Sequence, residues 1–116
     1  MTYQDVKTML DSIAIDNVPV PYAYYQFSED TAQPPPFICF YYSGDNDFLA
    51  DNSNFKRIAV LVIELYTDEK DFALEKTVEN ALASNELVYS KAESYIDSEK
   101  MMMVTYETNV VITEGE

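Results

Sequence analysis

The apolar positions near the start of the chain predict a first helix. They recur at helical spacing, at Val6, Met9, Leu10 and Ile13. Thr2 stands where an N-cap is expected, and Asp5 follows three residues later in a weaker form of the capping box. We expect Asp16-Asn17 and the segment Pro19-Val20-Pro21 to end this helix, because proline lacks the backbone donor and restricts the residue before it.

A second helix is predicted after the middle of the chain. We expect Asp68 to cap it, with Asp71 and Glu75 complementing the positive end of the helix dipole. Its apolar side consists of Phe72, Leu74, Val78, Ala81 and Leu82. Ser84-Asn85 should end it.

Five segments predict strands, namely Tyr22–Phe27, Phe37–Tyr42, Phe55–Thr67, Leu87–Asp97 and Met101–Ile112. Both faces of the third are apolar as far as Glu64, which indicates a central strand covered by a helix on one side. In the last, the even positions are mainly apolar, whereas the odd positions become polar after Met103 and suggest solvent or a subunit contact. The last two strands should form a hairpin through Ser98-Glu99-Lys100.

The element order is therefore α-β-β-β-α-β-β. It predicts an α+β fold, with two helices packed on a mixed, largely antiparallel sheet of about five strands. A chain of 116 residues has room for one such domain, spanning 1–116.

The charge is strongly acidic, with 21 Asp and Glu against seven Lys and Arg and a net charge of −14. Only Lys56 and Arg57 are adjacent cations, so there is no basic patch, and we expect neither specific nucleic-acid binding nor membrane binding. Two interpretations of the acidity remain open. In the first, the acidity only keeps a small protein soluble. In the second, part of the acidic surface faces a basic partner or lines a passage for DNA.

The residue types required by common catalytic sites are missing. The chain has no His, which excludes Ser-His-Asp and Cys-His schemes, and its two glycines, Gly44 and Gly115, cannot form a phosphate-binding loop. Cys39 lies in an apolar run, where a buried inert thiol is expected, and a lone thiol fits a reducing cytoplasm. Neither a secretory signal nor an apolar stretch of membrane-spanning length is present. We therefore expect a cytoplasmic protein without catalytic residues or cofactor.

Carboxylates offer two weaker possibilities for chemistry. The acidic turn around Asp45-Asn46-Asp47 invites a calcium interpretation, but it lacks the glycine at the sixth position and has Lys56 where the bidentate Glu belongs. A solvated turn is the expectation, and we predict no metal site. Glu64 and Glu107 lie within strands and could form a buried acid pair, but we expect them at edge or rim positions instead.

Exposed apolar character gives the candidate interface residues. Phe48 and Leu49 sit in the middle of a polar loop, where such a pair either contacts a partner or folds back on the core. The other candidates are Tyr41, Tyr42, Met101 and Met103. Flexible Met side chains suit adaptable contacts, although packing in the core is the alternative for the Met101–Met103 run.

In the order and residue character of these segments, the chain resembles the small tail-completion proteins of Gram-positive siphophages and their prophages. The resemblance is carried by the helix Thr2–Ile13, the strand residues Tyr24–Phe27, Pro36–Tyr42, the acidic Asn-rich loop, Ile63–Thr67, the helix from Asp71-Phe72 and the hairpin Tyr95–Met101. This group includes tail terminators and head-tail joining proteins, and the resemblance spans nearly the whole chain.

The resemblance implies a structural role without catalysis. It implies self-association into a ring, commonly of six subunits, that caps the tail tube and meets the major tail protein and the head connector proteins. The protein would act in the bacterial cytoplasm and then be incorporated in the virion. Two alternatives stay open: a head-completion or connector protein, and a non-phage acidic binding module that mimics DNA to inhibit a basic enzyme.

Overall fold

The computed structural model describes residues 1–45 and 57–112. Its elements are α1 (Tyr3–Asp11), β1 (Ala14–Ile15), β2 (Val18–Pro19), β3 (Tyr22–Tyr24), a short 3-10 turn (Glu29–Thr31), β4 (Phe37–Asp45), β5 (Arg57–Thr67), α2 (Phe72–Ser84), β6 (Tyr89–Ile96) and β7 (Met101–Ile112). The predicted α+β class and the order of the main elements are confirmed.

The main sheet has five strands in the order β3-β4-β5-β7-β6. β3 runs parallel to β4, and all other neighbours are antiparallel. β5 is the central strand, as its two apolar faces predict, and β6 and β7 form the predicted hairpin. β3 ends earlier than expected because Tyr25 takes a φ of 71°, outside the range of an extended strand.

The connection after α1 contains a two-stranded hairpin that the sequence pattern did not predict. β1 pairs antiparallel with β2, with Ile15 opposite Val18. Asp16 and Asn17 between them have φ values of 49° and 68°, as a two-residue type I′ turn requires. Asp and Asn tolerate this left-handed region better than most residues. α1 already ends at Asp11, so the prediction that Asp16-Asn17 ends this helix is wrong, and the pair instead builds the turn of the hairpin.

The helix caps are partly as predicted. Thr2 and Asp5 form the full capping box: Asp5 N–H donates to Thr2 Oγ1 at 3.0 Å, and Thr2 N–H donates to Asp5 Oδ2 at 2.9 Å. The expectation that Asp68 caps α2 is wrong. Asp71 directly precedes the helix and accepts from Leu74 N–H at 3.0 Å, whereas Asp68 lies exposed in the preceding turn.

The core lies between the helices and one face of the sheet. This face consists of odd positions in β5, such as Leu61 and Ile63, and even positions in β4 and β7, such as Phe40 and Tyr106. Val6 and Leu10 of α1 and Val78 of α2 pack against it, all fully buried. Phe72 was predicted on the apolar side of α2 but is 73% exposed, because it stands at the first helical position. No helix in the described part of the chain is long and apolar enough to span a membrane.

Candidate protein-binding face

The opposite side of the sheet is the candidate site, and we call it the open face. The core formed by α1 and α2 uses the other side, so neither helix covers it. On β4, β5 and β7 its residues, which the strand registers place side by side, are Phe37, Cys39, Tyr41, Val60, Val62, Glu64, Tyr66, Met101, Met103, Thr105 and Glu107. β6 adds Ser90, Ala92, Ser94 and Ile96 at its edge. Most are half-buried, while Val62 and Cys39 are only 2% and 4% exposed. The open face is therefore a packed, largely apolar surface with a few polar groups.

Stacked aromatic rings cross the open face. Tyr25 stacks on Tyr41, with ring centroids 4.6 Å apart and planes inclined by 15°. Phe37 stacks on Tyr66 at 4.8 Å and 20°, and Phe27 meets Phe37 edge-on at 5.5 Å. Rings that pack on one another lose little further freedom when a partner binds. They offer a rigid contact surface of the kind enriched at protein interfaces.

Glu64 lies among these rings on the central strand. Tyr66 Oη donates a hydrogen bond to Glu64 Oε1 at 2.8 Å, and Tyr41 Oη donates to Glu64 Oε2 at 3.2 Å. The prediction that Glu64 is an edge or rim residue is wrong, because β5 has a strand on each side. Each carboxylate oxygen accepts one phenol hydrogen bond, which leaves further acceptor capacity on both.

The groups around Glu64 stay protonated at neutral pH. Burial and then Glu64 raise the pKa of Tyr66 well above its usual range, and the same two causes raise the pKa of Tyr41. Burial raises the pKa of the Cys39 thiol to about 11, and the Glu64 charge adds to this. The two phenols therefore remain hydrogen-bond donors that hold the carboxylate in place. Cys39 is a buried, unreactive thiol, as the sequence predicted.

A groove of about 570 Å³ lies at one end of the open face, beneath the loop that follows β3. Aromatic rings, Pro35 and Met101 form its walls, and Asp68 and Glu99 add two carboxylates. Cys39, which is paired with Glu64 across the strands, and Tyr66, which hydrogen-bonds Glu64, line it as well. The groove thus begins next to Glu64.

The structure brings together three of the six predicted interface residues. Tyr41, Met101 and Met103 all lie on the open face. Tyr42 points to the other side, where it packs against the edge of the core with its ring 6.3 Å from that of Tyr24. Phe48 and Leu49 lie outside the described residues. Sequence reasoning missed Tyr66 as a partner of Glu64, although two residues on one strand separated by a single position always share a face.

An ion-pair cluster lies on the helix side of the sheet. Lys91 Nζ contacts Glu75 Oε1 at 2.9 Å and Glu79 Oε2 at 2.7 Å, and Lys70 Nζ contacts Glu75 at 2.9 Å and Glu93 at 2.6 Å. Glu75 is 2% exposed, and a buried carboxylate of this kind needs its cations. The cluster ties α2 to β6. Its charges pair with one another, so we assign it a structural role.

The described residues contain no group of three metal-ligating side chains close enough to hold a metal ion. The acidic turn considered for calcium falls largely outside these residues. No model of a known protein family matches the sequence, and no curated protein matches it either.

Proposed function

We propose that this chain is a structural protein of phage morphogenesis. It caps the tail tube or joins the tail to the head as one subunit of a ring, and it catalyses no reaction. The open face is the observation that carries the proposal, because a broad sheet surface with half-buried rings and methionines is typical of a protein-binding site. The resemblance to tail-completion proteins supplies the biological setting, in which the face contacts the major tail protein, a connector or a neighbouring subunit.

The distribution of acidic residues bears on the DNA-mimic alternative. An inhibitor of that kind needs carboxylates arranged on one surface as phosphates are along DNA. Here Glu64 and Glu107 lie on the open face, whereas Glu75, Glu79 and Glu93 are paired with lysines on the helix side. These five carboxylates are thus divided between two sides of the sheet. This division favours the morphogenesis role over the mimic.

Deletion of the gene from the phage genome that carries it tests the proposal. We expect electron microscopy of the lysate to show tails of abnormal length or tails without heads. Complementation with the wild-type gene should restore normal particles. Met103→Glu, which places a charge on the open face, should fail to complement. The matched variant Lys76→Glu, at an exposed position of α2, should succeed. Tails of normal length joined to heads in the deletion strain would contradict the role.

A further inference from the structure

We propose that the groove beside Glu64 receives an Arg or Lys side chain from a basic segment of the partner protein. This inference rests on the proposed function in that it names the chemistry of the partner contact. The stem of the bound Arg or Lys side chain would pass over the aromatic and Met walls of the groove. Its charged end would reach the carboxylates in and beside the groove.

The walls of the groove suit the apolar stem and the cation alike. Phe27, Phe37 and Tyr66 present ring surface, and Met101 adds a flexible apolar wall. The methylene stems of Arg and Lys pack well on such surface while the charged end stays near water or a counter-charge. A cation over an aromatic ring is also attracted by the negative face of the ring. A volume of about 570 Å³ is enough for one long side chain and part of its neighbours.

The carboxylates give the groove its preference for positive charge. Asp68 and Glu99 line it directly, and Glu64 lies next to it, held in a fixed orientation by the Tyr41 and Tyr66 hydroxyls. Among the described residues, no ion pair includes any of these three carboxylates. A fixed carboxylate with spare acceptor capacity is a strong partner for a guanidinium or ammonium group.

The lysines of this chain whose contacts are described are engaged elsewhere. Lys70 and Lys91 belong to the cluster on the helix side, and Lys7 lies over the ring of Tyr3 on α1. The described residues that line the groove include no Lys or Arg. Lys100, which follows Glu99, is exposed, and no ion pair among the described residues includes it. The cation that we propose for the groove is supplied by another molecule.

Charge also distinguishes a basic partner from a second copy of this chain. A second copy carries Glu64 and Glu107 on its own open face, so two open faces have the same charge character and are not complementary. Like charges facing each other across an interface disfavour association, whereas opposite charges speed and orient it.

Titration with a small basic peptide tests the inference. The probe is the acetylated and amidated peptide Ala-Arg-Ala-Arg-Ala, followed by ¹H–¹⁵N correlation spectra of the intact chain at low ionic strength. The same peptide with citrulline in place of arginine keeps the shape and removes the charge. We expect saturable shifts at Cys39, Tyr66 and Met101 with the arginine peptide, and at least tenfold weaker binding with the citrulline peptide.

Two protein variants locate the contact. Glu64→Gln should weaken binding of the arginine peptide about tenfold, which is the expected loss when a charge-assisted hydrogen bond is removed. Glu86→Gln removes the same charge from an exposed position beyond α2 and should leave binding unchanged. The spectra of both variants also report whether the fold is intact. If Glu64→Gln does not fold, Asp68→Asn takes its place and should likewise weaken binding of the arginine peptide.

Three outcomes would overturn the inference. Equal binding of the two peptides would remove the role of charge, and unchanged binding by both Glu64→Gln and Asp68→Asn would place the peptide elsewhere. Concentration-dependent self-association in sedimentation equilibrium that Glu64→Gln abolishes would make a second copy the occupant. These results are independent of the deletion phenotype. The groove can thus fail its test while the role in assembly stands, and the reverse is equally possible.

Discussion

Replacing Lys91 by Met tests how the sheet is tied to α2. Lys91 Nζ holds two carboxylates, Glu75 at 2.9 Å and Glu79 at 2.7 Å, and Glu79 also accepts a hydrogen bond from Tyr106 Oη at 2.9 Å. The variant leaves Glu75 with Lys70 alone and Glu79 with only the phenol. Met keeps much of the apolar stem, so the change in stability reports mainly on the lost charge.

The magnitude follows from how far each group is buried. Breaking a fully buried ion pair costs about 3–5 kcal/mol, whereas exposed pairs contribute about 0–1 kcal/mol. The Glu75 side chain is 3% exposed, but Lys91 is 36% exposed and Lys70 remains, so solvent screening reduces the effect. We expect a loss of about 2 kcal/mol in the free energy of unfolding. For 116 residues the entropy of unfolding is roughly 0.24 kcal/mol/K, so the Tm should fall by roughly 8 °C.

Urea unfolding followed by circular dichroism, together with calorimetry, measures this loss. Lys76→Met is the matched control. Lys76 is exposed on the same helix, no ion pair among the described residues includes it, and its charge is the smallest of the causes that lower the pKa of Glu79. It should change stability by less than about 0.5 kcal/mol. Equal effects of the two substitutions, or a more stable Lys91→Met, would refute the reasoning that the cluster holds α2 on the sheet.

Wild type and Lys91→Met also give a test by pH. Burial acts to raise the pKa of Glu79, but hydrogen bonds from Lys91 and Tyr106 outweigh it and hold the pKa below the usual 4.5. A carboxylate with a lowered pKa in the folded state stabilises the fold above its unfolded pKa, and this stabilisation is lost as the pH falls through the folded value. The stability advantage of wild type over Lys91→Met should therefore be full at pH 7 and shrink below pH 4.5. An advantage that grows on acidification would contradict the assignment.

Three further predictions concern other parts of the molecule. Thr2→Ala removes the capping box and should cost about 1 kcal/mol and speed amide exchange in α1, whereas Thr8→Ala on the exposed side of that helix should not. Tyr22 donates to Asp11 Oδ1 at 2.6 Å, and this bond, together with burial and the Asp11 charge, raises the pKa of Tyr22 to about 12. Its phenol signal should therefore titrate near that value and fall toward 10 in Asp11→Asn. Cys39, with its pKa of about 11, should resist a thiol reagent at pH 8 in the folded chain and react rapidly in urea; fast reaction of the folded chain would contradict its burial.

The main elements of the fold could be predicted because periodicity and burial agree along the long segments. β7 spans the residues that its alternation predicts, Met101–Ile112, and β5 is central because both of its faces are apolar. The β1-β2 hairpin escaped prediction because two residues per strand carry no measurable periodicity. Its signal was the Asp16-Asn17 pair, which serves helix ends and type I′ turns alike.

The candidate site could be predicted only in part, because a face of a sheet is assembled from strands that are distant in sequence. Alternation within β7 places Met101 and Met103 together, yet only the register brings them beside Tyr66 of β5. Tyr41 and Tyr42 are adjacent in a strand, so their side chains lie on opposite sides of the sheet. Both are tyrosines, and the sequence alone does not say which of them lies on the open face. The groove depends on the path of the loop after β3, which periodicity does not describe.

Photo-cross-linking in assembled particles tests the central claim, that the open face is the protein-binding surface, most directly. Benzoylphenylalanine is placed at Met103 on the open face or, as the matched control, at Lys76 on α2, and cross-linked peptides are identified by mass spectrometry. We predict abundant cross-links from position 103 to one partner segment that contains Arg or Lys, and few from position 76. Cross-links from position 76 with none from position 103 would contradict the claim.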